Sequence, residues 1–298
     1  MHTNVDGIWA VGDAIAVKHF VSGEQTIIPL ASPANKQARI VADNIKGRKT
    51  KYNGTQGTSI AKVFDMTVAS TGLTEKDCIR LGIDYHKSFS ATNSHAGYYP
   101  GPTMMTVKLL YTKGEGKVLG GQIVGYKGVD KRIDILAVAI RAGMTVFDLH
   151  QLELAYAPPF SSAKDPINMA GYVGENVVLG ESKVATFEEV MAMGDEVIKL
   201  DVRTEAECAN GMVPGFINIP LHLLRERYAE LDKSKPVYIH CQSGLRAYVG
   251  ERILKNLGFD CYNIFGSWMW YNMWQADLQA KAAENEITSN CARPEFNA

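Results

Sequence analysis

The chain has 298 residues, of which 46% are hydrophobic and 21% charged, and 31 Lys and Arg against 32 Asp and Glu give a formal net charge of −1. This composition excludes the disordered, collagen-like and coiled-coil classes, and the balanced charge gives no electrostatic footprint for nucleic acid. Because no apolar run approaches the roughly 18 residues of a membrane helix and the first residues lack a signal-peptide pattern, we expect a cytoplasmic protein with no membrane partner.

The length predicts about two domains and a remainder. The five cysteines are scattered and include no Cys-x-x-Cys pair, so they form neither a disulfide framework nor a zinc site. We therefore expect free thiols and no bound metal, and a reactive cysteine has to be identified by its surroundings.

The first predicted elements are a short strand over residues 7–11, a Gly-Asp turn and an amphipathic helix. The helix is expected to run from about Ser32 to Ile45, with Ser32 as its N-cap and Pro33 at its first position. Residues 47–56 are polar and rich in turn formers, which predicts a linker.

Residues 57–175 alternate strand patterns with one clear helix. We predict a strand over 61–71, a short helix over 74–82 ended by Gly82, and a strand over 88–101 that enters a turn. A hairpin follows over 105–125, and apolar residues at helical spacing predict a helix over 129–143 that Gly143 ends. This segment is typical of a mixed α+β sheet domain.

Residues 185–298 have a different pattern, in which short apolar strands of the buried parallel type lead into polar turns. Residues 196–202 and 236–241 are the clearest strands, and the second leads into a helix over 246–258. The alternation predicts a small, doubly wound parallel α/β domain with its ligand site at the carboxyl ends of the strands.

The strongest local signal is the run His240-Cys241-Gln242-Ser243-Gly244-Leu245-Arg246. A cysteine that follows a buried strand and precedes a glycine-containing loop and a helix lies in a concave site of backbone N–H groups. That field favours the thiolate, Arg246 adds a positive charge at the rim, and the same loop can hold the terminal sulfur of a persulfide. Because alternate residues of a strand face opposite sides, His240 is expected to pack rather than act as a base.

The spacing between cysteine and arginine separates two chemistries. Cysteine phosphatases place five residues between them to enclose a phosphate, whereas four residues separate Cys241 from Arg246. The tighter loop suits a single sulfur atom better than a phosphoryl group, which disfavours the phosphatase alternative.

Together with the segments Leu-Asp-Val-Arg-Thr-Glu-Ala-Glu (200–207) and Gly-Met-Val-Pro-Gly-Phe-Ile-Asn-Ile-Pro (211–220), this run resembles the rhodanese family of sulfurtransferases. The resemblance implies that Cys241 carries the persulfide, that residues 242–246 form its loop, and that Asp201 and Arg203 support the loop. Two departures concern the scaffold: Met212 replaces a histidine, and Ser267-Trp268 replaces a second glycine after Gly266.

The first 46 residues resemble the second flavin-contact segment of the flavoprotein disulfide reductases. The matching runs are Thr-Asn-Val-Asp-Gly-Ile-Trp-Ala-Val-Gly-Asp-Ala-Ile-Ala-Val (3–17) and Pro-Leu-Ala-Ser-Pro-Ala-Asn-Lys-Gln-Ala-Arg-Ile-Val-Ala-Asp-Asn-Ile (29–45). The resemblance implies that Asp13 approaches the ribityl and pyrophosphate part of FAD and that its neighbours Gly12 and Ala14 belong to the same contact.

Residues 57–175 resemble the dimerisation domain of the coenzyme A-disulfide reductase branch, some members of which carry a C-terminal rhodanese domain. The matching runs cover residues 68–75, 95–101, 120–137 and 156–168. The resemblance implies a homodimer in which Tyr98 and Tyr156 reach the partner subunit's site beside the coenzyme A sulfur. Tyr99 is an alternative to Tyr98 because the two are adjacent. A phenol there can hydrogen-bond a thiolate or act as an acid.

The sequence contains no Gly-x-Gly-x-x-Gly turn between a strand and a helix for FAD or NAD(P)H, and its first cysteine is Cys78. We therefore expect a remnant of an FAD-binding domain (1–50), a reductase dimerisation domain (51–178) and a rhodanese-like domain (182–298). The chain is interpreted as the C-terminal portion of a coenzyme A-disulfide/persulfide reductase, arising from an internal start, a truncated frame or a degenerate paralogue. FAD, NAD(P)H and coenzyme A serve the intact enzyme, and this chain is not expected to retain the flavin.

The function expected of the chain itself is sulfur transfer between small-molecule thiols and persulfides at Cys241. The alternative is a dimerisation or interaction module with an inactive rhodanese domain.

Overall fold

A computed structural model describes residues 1–290, with side chains described through residue 283. The chain divides into two compact units, the first spanning Met1–Leu179 and the second beginning at Gly180. Within the described residues, no helix combines the length and apolar character needed to cross a membrane.

The N-terminal part of the first unit is only lightly structured. Its elements are a 3-10 turn and the following strands and helix: Gly12–Ala14, β1 (Val17–Lys18), β2 (Gln25–Thr26) and α1 (Ala31–Ile45). The expected strand over 7–11 is wrong, because Trp9 forms only an isolated bridge with His2 and a strand needs a neighbour for its N–H and C=O groups. The expected cap of α1 is also wrong: Leu30 is the N-cap, while the Ser32 hydroxyl, inside the helix, accepts from Lys36 Nζ at 3.0 Å.

A five-stranded antiparallel sheet, in the order β3-β4-β7-β6-β5, forms the centre of the first unit. The elements that follow α1 in this unit are β3 (Ser59–Val63), β4 (Met66–Gly72), α2 (Glu75–Leu81), β5 (Tyr85–Asn93), β6 (Met104–Thr112), β7 (Val118–Gly125), α3 (Val129–Ala142), α4 (Val146–Gln151) and α5 (Pro166–Val178). The single strand predicted over 61–71 is two strands, because Phe64, with φ of 51°, turns the chain between β3 and β4. The remaining predicted elements are present, including the left-handed Gly82 and Gly143 that cap α2 and α3.

One face of this sheet carries the core of the first unit. Helix α3 packs on β4 and β7, and α5 packs on β5 and β6. The buried side chains include Met105, Val107, Leu109, Tyr111, Ile123, Ile133, Leu136, Leu149 and Ile167. On the other face, Val68 of β4 pairs with Val124 of β7 in register, and both are more than a third exposed.

The second unit is built on a five-stranded parallel sheet in the order β10-β9-β11-β12-β8. Its elements are β8 (Val184–Ala185), α6 (Phe187–Met191), β9 (Ile198–Asp201), α7 (Glu205–Ala209), β10 (Ile217–Asn218), α8 (Leu224–Arg227), β11 (Val237–His240), α9 (Leu245–Asn256), β12 (Cys261–Ile264) and α10 (Ser267–Asn290). The predicted doubly wound parallel domain is confirmed, and its two clearest strands are β9 and β11.

Helices cover both faces of the parallel sheet, which creates two separate cores. Val237, Ile239 and Cys241 face a core that includes α9, while Tyr238 faces a second core with residues of α6 and α10. The alternation of a strand therefore sends Cys241 and its predecessor His240 to opposite sides, and His240 contacts the rings of Phe187 and Phe216.

Candidate active site

Cys241 lies directly after the central strand β11, at the carboxyl edge of the parallel sheet. The cysteine loop is defined as residues 241–246, and its last two residues form the start of helix α9, which begins at Leu245. Gly244 has a φ of 119°, which L side chains rarely adopt, and this conformation lets its N–H donate to Cys241 Sγ at 3.1 Å. The asparagine side chain of Asn263 supports the turn by donating to Gly244 O at 3.4 Å.

Helix α10 contacts the same loop through its first turn. The backbone N–H groups of Trp268 and Met269 donate to the carbonyls of Cys241 and Gln242 at 2.9 and 3.1 Å. The Ser267 hydroxyl accepts the Cys241 N–H at 3.1 Å. Two helices therefore begin beside Cys241, and the positive end of each helix dipole favours a negative charge on its sulfur.

Arg246 is not a free cation at the rim of the loop. Its guanidinium forms a bidentate ion pair with Glu207, with nitrogen–oxygen distances of 2.7 and 2.6 Å. The hydrogen bonds from Arg246 lower the pKa of Glu207 to about 2. The ion pair joins α7 to α9 and reduces the positive charge that the arginine alone would present.

A buried ion network lies behind the loop and connects the two residues that the sequence assigned to its support. Arg203 binds Asp201 through its side chain, with Nη2 2.7 Å from Oδ2, and it also donates to Gly211 O at 2.9 Å. Nε2 of His240 lies 3.2 Å from Oδ2 of Asp201. Burial raises the pKa of the Asp201 carboxyl, but His240 and Arg203 outweigh burial and hold that pKa well below its usual range.

Trp268 closes this network from the other side. The Arg203 guanidinium lies 4.2 Å from the centroid of the Trp268 ring, a cation–π distance. Met212, the other departure from the rhodanese pattern, is half-buried and packs against the core that contains Phe216. Trp268 and Met212 therefore occupy packing positions.

The other described cysteines lack the environment of a nucleophile. Burial raises the pKa of Cys208 to about 11 and that of Cys261 to about 12, and it also raises the pKa of Cys78. These shifts favour the thiol over the thiolate, in keeping with their interpretation as small hydrophobic residues. Cys291, interpreted in the same way, lies outside the described residues.

In the first unit, Tyr98 and Tyr156 come together although 58 positions separate them in the chain, and their hydroxyl oxygens are 2.8 Å apart. They lie on two loops, the Tyr98 loop (94–103) and the Tyr156 loop (152–165). Their exposed fractions are 77% and 46%. Tyr99 is directed elsewhere, with its ring edge-on to His95 at 5.8 Å between centroids.

The residues that fix these two loops were missed by sequence reasoning. Arg132 of α3 is fully buried and binds Asp165 at 2.9 Å. It also donates to Ser94 O at 3.0 Å and to Ser161 Oγ at 3.1 Å, so one guanidinium holds both loops. The available signal was an arginine on the apolar face of α3, one turn before Leu136, because such a residue requires a buried partner.

The residues that the resemblance assigns to flavin contact form a 3-10 turn, Gly12–Ala14. Gly12 has a φ of 72°, and its N–H already donates to Gln37 Oε1 at 2.7 Å. Asp13 and Ala14 are exposed. With Asp13 and Ala14 open to solvent, this turn by itself does not enclose FAD. The described residues also include no group of three or more His, Cys, Asp or Glu placed to hold a metal ion.

Comparison with protein families identifies both units. Residues 58–166 match the pyridine nucleotide-disulphide oxidoreductase dimerisation domain, and residues 185–273 match the rhodanese-like domain. The first unit therefore contains a dimerisation domain of the pyridine nucleotide-disulphide oxidoreductase type, and the second contains a rhodanese-like domain. The predicted resemblance to both families is confirmed.

Two individual relatives are each similar to more than half of this chain. The chain is 40% identical over 174 residues to a coenzyme A disulfide reductase of Staphylococcus aureus, and 37% identical over 167 residues to the NAD(P)H sulfur oxidoreductase (CoA-dependent) of Pyrococcus furiosus. These alignments cover 58% and 56% of this chain, but only 39% and 38% of the relatives. The chain thus spans about two fifths of the length of these curated proteins.

Two solved structures resemble both units. Reduced Bacillus anthracis CoADR-RHD matches with a TM-score of 0.84 and 48% identity, over 88% of this chain and 48% of that one. The NAD-dependent persulfide reductase from A. fulgidus matches with a TM-score of 0.83 and 36% identity, over 91% and 49%. The two units thus occur together in proteins of about twice the matched length.

Proposed function

We propose that this chain transfers sulfane sulfur at Cys241, as part of a protein of the coenzyme A-disulfide/persulfide reductase type. The observation that carries the proposal is the environment of Sγ, which accepts the Gly244 N–H at 3.1 Å beside the starts of two helices. Hydrogen-bond donors and helix dipoles aimed at one sulfur stabilise a thiolate.

The transfer takes two displacement steps. In the first, the Cys241 thiolate attacks the outer sulfur of a donor such as thiosulfate, a Sγ–S bond forms, and sulfite leaves with the electron pair of the broken S–S bond. In the second, an acceptor thiolate or cyanide attacks the outer sulfur of the Cys241 persulfide. The Sγ–S bond breaks and Sγ takes its electron pair, which restores the thiolate without net oxidation or reduction.

Tyr98 and Tyr156 are proposed to contact the sulfur of coenzyme A or another small thiol in a homodimer. Their hydroxyls lie 2.8 Å apart, and the hydrogen bond with Tyr98 raises the pKa of Tyr156. A protonated phenol can donate to a thiolate or protonate a leaving sulfur. The contact that supports Tyr98 rather than Tyr99 in this role is the one to Tyr156.

Flavin-dependent reduction is proposed only for longer proteins of the same type as the relatives. The relatives' names specify NAD(P)H or NAD, whereas this sequence has no dinucleotide-binding glycine turn and the turn at Asp13 does not by itself enclose FAD. We expect purified chain to show no NADH-reducible flavin spectrum, and such a spectrum would contradict this part of the proposal.

A second candidate function is an inert module for dimerisation or interaction. The observation in its favour is that Cys241 is only 1% exposed, which limits the access of a sulfur donor to its sulfur. Sulfur transfer at Cys241 would exclude this candidate.

The test is thiosulfate:cyanide sulfurtransferase activity of the wild type beside Cys241→Ser, with Cys208→Ser as the matched control. We expect thiocyanate formation by the wild type and by Cys208→Ser, and a loss of about a thousandfold or more in Cys241→Ser. Equal background rates in all three proteins would contradict sulfur transfer and leave the inert module.

A further inference from the structure

Ser267 occupies an unusual position in the second unit. Only it and Phe64 combine a non-glycine side chain with a positive φ among the described residues, and the φ of Ser267 is 54°. Phe64 lies at an exposed hairpin turn, whereas Ser267 is fully buried. A serine whose backbone lies in the left-handed region costs free energy that a glycine would avoid. Such strain persists where the surroundings or the function require it.

The neighbouring residue shows that this turn is sterically demanding. Gly266 also has a positive φ, of 66°, and a Cβ there would approach Trp270 Cβ to 2.3 Å. The chain has glycine at 266 but serine at 267, which is the first residue of helix α10. The hydroxyl at 267 is therefore the feature that needs an explanation.

That hydroxyl touches the reactive cysteine twice. Ser267 Oγ accepts the Cys241 N–H at 3.1 Å, and it lies 3.8 Å from Cys241 Sγ. Its own proton has two acceptors within reach, Sγ and the carbonyl of Ile264 at 3.5 Å. A hydroxyl that has accepted one hydrogen bond becomes a stronger donor in the next.

We propose that Ser267 donates a hydrogen bond to Cys241 Sγ whenever this sulfur carries negative charge, and so assists the sulfur both as nucleophile and as leaving group. The proposal rests on the sulfur-transfer function above. With a neutral thiol, the Ser267 proton is directed to Ile264 O. When Sγ is a thiolate, before its attack on the donor and after release of the outer sulfur, the proton turns to Sγ.

Gly244 and Ser267 then form a two-donor cradle on one sulfur. The Gly244 N–H approaches from the start of α9 at 3.1 Å, and the Ser267 O–H approaches from the start of α10. The first donor is fixed by the backbone, whereas the hydroxyl rotates between two acceptors. The hydrogen bond from the second donor therefore strengthens as charge develops on Sγ during release of the outer sulfur, which lowers the barrier to that displacement.

The test compares Ser267→Gly and Ser267→Ala with the wild type. Both variants remove the hydroxyl, but glycine accepts the φ of 54° without strain, so Ser267→Gly is expected to fold even if Ser267→Ala is destabilised. Thermal unfolding of each variant records this difference. Cys241 reactivity is then measured as the pH dependence of iodoacetamide alkylation, read at its own peptide by mass spectrometry so that the other cysteines do not contribute.

We expect the alkylation of Cys241 to reach half its maximal rate at higher pH in both variants than in the wild type. We also expect discharge of preformed Cys241 persulfide to cyanide to slow about threefold to tenfold, as for the loss of one ordinary hydrogen bond. A role in packing alone would change the unfolding temperature and leave the pH profile in place. An unchanged profile in folded Ser267→Gly would overturn the proposal.

The alkylation measurement does not require sulfur transfer, so the two proposals fail separately. A shifted profile in a protein whose wild type forms no persulfide would contradict sulfur transfer and support the hydrogen bond. A normal persulfide with an unshifted profile would contradict the role of Ser267 alone.

Discussion

Each unit of this protein buries one Arg–Asp pair behind the loops that present its candidate reactive groups. In the first unit, Arg132 and Asp165 are each about 2% exposed in their side chains, and in the second Arg203 and Asp201 are 1% and 0% exposed. Arg132 binds the backbone or side chains of both tyrosine loops, and Arg203 binds Gly211 O beside the cysteine loop. The same device therefore supports two unrelated sites.

The sites themselves differ in completeness. The second unit surrounds a buried Sγ with donors from the starts of α9 and α10. In the first unit the tyrosine hydroxyls are exposed, and the hydrogen bond that the described residues give to each is to the other. A buried ion pair can thus fix a loop without completing its chemistry: the cysteine site is assembled within one unit, whereas the tyrosine pair is proposed to form one wall of a site.

The largest effects are expected from breaking the buried pairs. Asp201→Asn and Asp165→Asn each leave a buried arginine without its carboxylate, which costs about 3 to 5 kcal/mol in the free energy of unfolding. Urea denaturation checks this, with Asp260→Asn as control, because its partner Lys183 is exposed and such surface pairs contribute about 0 to 1 kcal/mol. A cost in Asp201→Asn no larger than in the control would contradict the supporting role of the pair.

The two sites should also be separable by their effects on activity. Asp165→Asn should disturb both tyrosine loops through Arg132 while the intact protein retains sulfur transfer at Cys241, because the hydrogen bonds to Cys241 and the ion pair of Arg246 are made by residues of the second unit. The sulfurtransferase rate of folded Asp165→Asn is expected to stay within about twofold of wild type, within the effect expected of a distant, independent site. A loss as large as that of Asp201→Asn would contradict the independence of the two sites.

Acid should weaken the second unit in a defined pH range. The folded-state pKa of Glu207 is about 2, against an ordinary 4.5, so its ion pair with Arg246 stabilises the fold above about pH 4.5 and is lost as the pH falls toward 2. The lowered pKa of Asp201 acts in the same direction. Unfolding free energies measured across this range should fall less steeply in Glu207→Gln than in the wild type, whereas equal slopes would contradict the ion pair.

A smaller effect is expected on substrate entry. Glu207→Gln releases Arg246 from its bidentate partner and removes one negative charge beside the loop, so the KM for anionic thiosulfate should fall about twofold to fivefold at low salt and approach wild type at high salt. Glu205→Gln changes an exposed charge on the same helix α7 and serves as the control. A KM that rises in Glu207→Gln would show that the ion pair, rather than the free arginine, binds the donor.

The smallest effect concerns the tyrosine pair. Tyr98→Phe removes the hydrogen bond that raises the pKa of Tyr156, so that pKa should move down toward its ordinary value. Titration of carbon-13-labelled tyrosine by nuclear magnetic resonance measures it, and Tyr99→Phe is the matched control. A shift of the Tyr156 pKa in Tyr99→Phe but not in Tyr98→Phe would show that Tyr99 is the partner of Tyr156 and would contradict the pairing with Tyr98.

Much of the second unit could be predicted from sequence because its signals are local. Two buried parallel strands, a glycine loop and a helix place Cys241 without reference to distant residues, and the parallel sheet confirms that arrangement. The N-terminal region was harder to predict. Residues 7–11 have a strand-like pattern, but among the described residues only His2 bridges to Trp9. Strand pairing depends on neighbours that a local pattern does not contain.

The contacts that support each site come from far along the chain, which is why sequence reasoning missed them. Ser267 reaches Cys241 across 26 positions, and Arg132 reaches Asp165 across 33. Glu207 was included in the rhodanese resemblance, but its pairing with Arg246, 39 positions away, was not inferred. A motif identifies which residue reacts, whereas packing of distant elements determines what that residue touches.

The central claim, that Cys241 carries sulfane sulfur, is tested most directly by peptide mass spectrometry after incubation with thiosulfate and removal of the excess. We expect one added sulfur atom on the peptide that contains Cys241, lost on addition of cyanide, absent in Cys241→Ser and retained in Cys208→Ser. An unmodified Cys241 peptide under conditions that load sulfur elsewhere on the chain would contradict the claim.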